Sequence, residues 1–126
     1  MKIKKIDHFV ITTKNLEKSI AFYKDLLGMK HVENKGRHAF IFGNQKINIH
    51  LKKGEFQPAA LHVEYGSQDF CLIVEDDIEL VKEEIEKKEY PIIEGIVKRH
   101  GSQGEIKSLY IRDPDGNLVE LSNYCN

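Results

Sequence analysis

A chain of 126 residues has the length of one ordinary domain, enough to bury a sizeable core and too little for two independent domains of usual size. With 40% hydrophobic and 31% charged residues and only 3 prolines, it belongs with folded globular chains, which excludes disordered, collagen-like and disulfide-stapled classes. Basic and acidic side chains number 19 and 20, for a formal charge of −1, and no lysine or arginine stripe exists to neutralise phosphates, so nucleic acid is not expected as a partner.

Met1 to Lys5 carries three lysines and leads into alternating polar and apolar residues. It has no signal-peptide core, and no apolar run is long enough for a membrane, so the expectation is a cytoplasmic chain with no membrane partner. The two cysteines, Cys71 in an apolar strand-like run and Cys125 near the carboxyl end, form neither a disulfide framework nor a zinc-ribbon spacing. Both fit a reducing compartment.

In chain order, Ile6 to Thr13 alternates as a strand, with Phe9 and Ile11 on one face and His8, Val10 and Thr12 on the other. Asn15 caps a predicted amphipathic helix whose apolar positions are Leu16, Ile20, Tyr23 and Leu27, with Gly28 placed to end it. Lys30 to Glu33, His38 to Gly43 and Lys46 to Leu51 then read as a three-strand meander with tight turns. The connection that follows holds Gly54, Pro58 and Gly66, although Leu61 to Val63 could form a short strand.

From Asp69 the pattern starts again. DFCLIV is a strand, Asp76 or Asp77 a cap, and Ile78, Val81 and Ile85 the stripe of a helix. Pro91 to Ile96, Ile106 to Arg112 and Leu118 to Asn123 complete three more strands, the last two joined by the turn sequence Asp113-Pro114-Asp115-Gly116-Asn117. The prediction is an α+β chain of two tandem βαβββ modules within a single domain, residues 1–126. Module 1 covers about 4–52, the connection about 53–68 and module 2 about 69–125. Setting His8 against Asp69 and His50 against Glu120 leaves extra residues in the second copy, assigned to a surface loop from Val97 to Glu105 that borders a pocket.

The segments DHFVITTKNLEKSIAFYKDLLGMK and IRDPDGNLVELSNY resemble the vicinal-oxygen-chelate superfamily, which contains glyoxalases, bleomycin- and fosfomycin-resistance proteins and extradiol dioxygenases. FGNQKINIH and GEFQPAA resemble its branch of glyoxalase-domain-containing protein type five and bacterial virulence-protein-like members. The resemblance implies a half-open, barrel-like mixed sheet with flanking helices. It also implies one divalent ion (Zn, Fe, Mn, Ni or Co) held by first and last strands of the modules, a small-molecule substrate and a homodimer. The matching positions are His8, His50, Asp69 and Glu120, with Glu120 the candidate catalytic base; Asp69 stands where many relatives have histidine.

The residues themselves leave alternatives open. His8 and Glu120 sit on faces shared with apolar neighbours and need either a cation or each other. His50 is a ligand or a water-facing edge histidine, and Asp69 is a ligand or the end of a turn. Arg37, Arg99 and His100 are candidate substrate-binding residues because guanidinium groups hold anions by paired hydrogen bonds, yet such charges, Arg112 among them, are also commonly solvated or structural. Phe22 and Tyr23 are expected in the core, and His31 and His62 are read as non-ligands. The functional expectation is a metal-dependent lyase, or a ring-cleaving dioxygenase if the ion is iron; the alternative is a non-catalytic, drug-sequestering binding protein.

Overall fold

The structure is a computed structural model that describes residues 1–125. It contains two compact units, Met1–Ser67 and a second beginning at Gln68. In the first, β1 (His8–Thr12) is followed by α1 (Leu16–Ile20), then β2 (Lys30–Asn34), β3 (Arg37–Phe42) and β4 (Gln45–His50). The sheet order is β1-β4-β3-β2, with β1 parallel to β4 and the remaining pairs antiparallel.

Asn15 caps α1 as its sequence implies, its side-chain oxygen accepting from Lys18 N at 3.0 Å. The helix then departs from the regular stripe. Ala21–Leu26 is wound as a π-helical turn, in which Leu27 N bonds five residues back to Phe22 O. Widening the turn rotates the buried face, so Phe22, Tyr23 and Leu26 are buried while Leu27 is only half-buried. Tyr23 stacks on Phe40 at 5.2 Å between centroids, and Ile11, Ile47 and Ile49 complete this side of the core. Phe22 and Tyr23 are thus core residues.

The second unit repeats the plan. β5 (Asp69–Ile73), α2 (Ile78–Lys87), β6 (Glu94–Gly101), β7 (Gly104–Arg112) and β8 (Leu118–Tyr124) form a sheet of order β5-β8-β7-β6, with β5 parallel to β8. Asp77 caps α2 by accepting from Glu79 N at 2.9 Å. Asn123 on β8 accepts from Ile78 N and donates to Val74 O and Asp76 O, which fixes the start of the helix to the sheet. The chain is therefore α+β, with two βαβββ copies each building a four-stranded mixed sheet.

Two expectations are corrected. Val97 to Glu105 is not a long loop: β6 and β7 pair as far as Gly101 and Gly104, with only Ser102 and Gln103 between them. Glycine at both closing positions permits so tight a turn, so backbone pairing continues where apolar periodicity is lacking. Leu61 to Val63 forms no strand, and Leu61 is exposed. Among the described residues no helix is long and apolar enough to cross a membrane.

Candidate functional site

Strand register decides which side chains share a face. In the second unit Cys71 on β5 pairs with Glu120 on β8, Glu120 with Tyr110 on β7, and Tyr110 with Glu94 on β6. A single row of polar side chains therefore crosses the sheet. Alternation along β8 puts Ser122 on the same face as Glu120, and Ser108 lies opposite Ser122.

These groups form a chain of hydrogen bonds. The Ser108 hydroxyl donates to Glu120 Oε2 at 2.5 Å and lies 2.7 Å from Ser122 Oγ, which in turn lies 3.3 Å from Cys71 Sγ. Ser108 has one hydroxyl proton. With that proton on the carboxylate, Ser122 gives its own to Ser108, a better bond at 2.7 Å than its 3.4 Å contact with Glu120 Oε2. The order runs from thiol through two buried serines to the carboxylate. Burial pushes the Cys71 thiol up, which keeps its proton in place, and the nearby Glu120 charge acts in the same direction.

The row opens on a cleft of about 410 Å³, whose lining includes Cys71, Arg99, His100, Tyr110, Glu120 and Tyr124. Arg99 donates to Tyr110 Oη at 3.0 Å and to Lys98 O at 2.9 Å, and meets Glu94 Oε1 at 3.4 Å. Its hydrogen bond to Tyr110 is the main reason its guanidinium is held above its ordinary value. Burial likewise raises the Tyr110 hydroxyl, against the pull of Arg99. Glu120, Arg99 and His100 are therefore brought to one cleft. Asp69 is exposed on the same sheet face, two residues before Cys71, roughly 8 Å from Glu120 by strand spacing.

The first unit has a smaller cleft of about 240 Å³, whose lining includes Val32, Arg37, Lys46, Asn48, His50 and Phe56. The Arg37 guanidinium lies 3.9 Å from the Phe56 ring centroid, and His50 meets the same ring edge-on at 5.1 Å. Burial lowers the His50 imidazole. His8 is exposed at the start of β1, its Nδ1 2.8 Å from Asp7 Oδ1, and that bond holds the Asp7 carboxyl below its usual range.

His8 pairs with Lys46 and Thr12 with His50, so the two histidines are four positions apart along one face, about 13 Å. The first unit does not bring them together. Register also corrects the internal alignment. If His8 matches Asp69, then Asn48, which pairs with Val10, matches Glu120, which pairs with Cys71; the counterpart of His50 is Ser122. Part of the second copy's extra length lies in β6 and β7, 8 and 9 residues against 5 and 6 in β2 and β3.

Arg112 has a structural contact, its Nη1 donating to Gly116 O at 3.3 Å across the turn. His31 lies against His38, Nε2 to Nδ1 at 3.0 Å, and His62 is exposed. Sequence reading missed Cys71, Tyr110, Asn48 and Phe56 as cleft residues, and Ser108 and Ser122 as the buried hydroxyls behind Glu120. Ser122 could have been found, two residues from Glu120 on the same strand; Ser108 and Tyr110 required knowledge of strand pairing.

The sequence profile of the glyoxalase/bleomycin resistance protein/dioxygenase superfamily matches residues 5–121. The chain belongs to this superfamily. Within the glyoxalase superfamily it is 47% identical over 125 residues to virulence protein STM3117 of Salmonella typhimurium, spanning 98% of this chain and 87% of that protein. The crystal structure of STM3117 aligns with a TM-score of 0.96 over 99% of this chain and all of that one. The glyoxalase domain-containing protein RDO1 of Mycosarcoma maydis is 45% identical over 125 residues, 98% of this chain and 70% of RDO1. At a greater distance, metallothiol transferase FosB of Lysinibacillus sphaericus is 26% identical over 126 residues, 96% of this chain and 83% of FosB.

Within the second unit, Asp69 and Glu120 put two carboxylates on one sheet face, oxygen donors of the kind that suit the divalent ion the glyoxalase fold implies. In the second unit Ser108 donates to Glu120 Oε2, and the Tyr110 hydroxyl is also hydrogen-bonded to Glu120. Among the described residues no three His, Cys, Asp or Glu side chains are gathered into an ion site.

Proposed function

We propose that this glyoxalase-superfamily chain is a divalent-metal-dependent enzyme acting on a small molecule with two neighbouring oxygen atoms, with Glu120 at the centre of its chemistry. The observation that carries this reading is the half-buried Glu120 carboxylate on the wall of a cleft, oriented by the buried Ser108 hydroxyl, which Ser122 in turn holds. A carboxylate held in this way stays in one geometry, as a general base requires. The name of the FosB relative, a metallothiol transferase, supports metal dependence.

In this reading Asp69 and Glu120 would hold the ion, with His8 its candidate imidazole ligand, and His50 belongs to the substrate side of the first unit. An ion held there would supply positive charge to stabilise an enolate or oxyanion of the substrate. Glu120 moves the proton, while Tyr110 and the paired Arg99 keep the cleft wall rigid. The reaction is a lyase or thiol-addition step, or ring cleavage if the ion is iron. The two modules work as one domain, and the active form is a cytoplasmic homodimer.

A second reading, a non-catalytic small-molecule binder, draws on the same carboxylate, since Ser108 already satisfies one of its oxygens without an ion. Elemental analysis of untagged protein separates the two. The enzyme reading expects a bound divalent ion that His8→Ala and Glu120→Ala each lose, followed by turnover in lyase or oxygen-uptake assays. Wild-type protein that takes up no ion from a divalent series would leave only the binder.

A further inference from the structure

The geometry points to a carboxylate-binding site in the cleft of the first unit, built around Arg37 and taking the acid end of a small organic molecule. Internal duplication helps the case, because the two units put different chemistry on one matching position, Asn48 against Glu120, and each cleft has an arginine of its own, Arg37 on β3 and Arg99 on β6. In the second unit the strand next to β5 carries Glu120, and the cleft arginine, Arg99, is occupied by Tyr110, Lys98 O and Glu94. In the first unit the matching position is the neutral Asn48, and Arg37 has no carboxylate within ion-pair distance among the described residues. One arginine is committed and the other is available.

Arg37 is also held in place. Its guanidinium lies 3.9 Å from the Phe56 centroid, which holds the planar group on an aromatic face and leaves its N–H edge to pair with a flat carboxylate. Lys46 lines the same cleft and adds positive charge, while the His50 imidazole and the Asn48 amide offer neutral donors. The acids nearby are engaged elsewhere: Glu55 Oε1 accepts from Leu51 N at 2.9 Å, and Glu33 Oε2 accepts from Gly36 N at 2.7 Å.

The volume, about 240 Å³, is below the roughly 300–1,000 Å³ of pockets that enclose drug-sized ligands. It fits an acid head group with a short apolar or aromatic body against Val32, Ala39, Ile49 and Phe56. The assignment of this acid as the enzyme's substrate rests on the reading given above; the binding site itself does not.

The test is titration of full-length protein with sodium benzoate, followed by ¹H–¹⁵N NMR and calorimetry, with inorganic phosphate and cyclohexylammonium as comparison probes. The expected result is saturable benzoate binding with shifts centred on Arg37, Asn48 and His50. Arg37→Gln should weaken it about tenfold or more, as expected for loss of a hydrogen bond to a charged group. Asn48→Asp, which copies the acidic character of the second unit, should weaken it similarly, and Arg37→Lys should fall between. Absence of saturable benzoate binding, or unchanged affinity in Arg37→Gln and Asn48→Asp, would overturn the site. So would equal or tighter binding of phosphate or cyclohexylammonium. If Arg37→Gln loses its folded spectrum, Arg37→Lys and Asn48→Asp decide. Glu120→Ala is titrated in parallel: loss of the ion with benzoate binding intact is expected, while an ion-bearing wild type that ignores benzoate sinks this proposal alone.

Discussion

Glu120 depends on Ser108 for its geometry, and Ser108 is fully buried. Removing that hydroxyl leaves both the carboxylate oxygen and Ser122 with a missing partner in a poorly solvated place. Ser108→Ala should lower unfolding free energy by about 1–3 kcal/mol, read as a lower urea midpoint with unchanged slope; an unchanged midpoint would show the bond to be unimportant. A second residue-scale effect concerns His31, whose imidazole is held below its usual 6.5 first by burial and then by the neighbouring His38 and Lys24 charges. The unfolded chain takes that proton more readily, so as pH falls the unfolded state is favoured. This contribution to stability is complete above about pH 6.5 and is lost as pH drops through the depressed folded value; His50, lowered by burial, adds the same sign. The urea midpoint should fall between pH 7.5 and 5, and His31→Gln should show a smaller fall than wild type.

At the scale of elements, Asn123 joins β8 to the first turn of α2 through three hydrogen bonds, to Ile78 N, Val74 O and Asp76 O. Asn123→Ala leaves the helix start uncapped from the sheet side and should cost about 1–3 kcal/mol, seen as a lower thermal midpoint. Gly95 on β6 marks another constraint: its φ is +131°, and a Cβ there would sit 2.6 Å from Leu109 Cα on β7. Gly95→Ala should destabilise by about 1–3 kcal/mol or more and shift amide resonances along the β6–β7 ribbon; an alanine variant as stable as wild type would mean that the ribbon yields freely. Asn15, and Asp76 or Asp77 as alternatives, could be identified as caps from their place before an apolar stripe, because capping is a local interaction; the structure selects Asp77.

At the scale of the molecule, the same topology is used twice with unequal polar content. The second unit places Asp69, Glu94 and Glu120 on one sheet face, with Asp69 and Glu120 on neighbouring strands; the first has Asn48 at the position that matches Glu120. The duplicated plan therefore predicts one divalent ion per chain rather than two, to be checked by elemental analysis alongside mass spectrometry under non-denaturing conditions. Two ions per chain would place ligand capacity in the first unit that its residues do not indicate.

The order of elements, the two βαβββ copies, the helix caps and the core role of Phe22 and Tyr23 follow from sequence, since each rests on periodicity or on partners within a few residues. The grouping of Glu120 with Ser108, Ser122, Tyr110 and Cys71, the match of Asn48 rather than His50 to Glu120, and the separation of His8 from His50 were decided only by tertiary structure. Strand register sets all of these, and a two-residue shift keeps every side chain on its face while changing each neighbour. Alternation alone cannot detect such a shift.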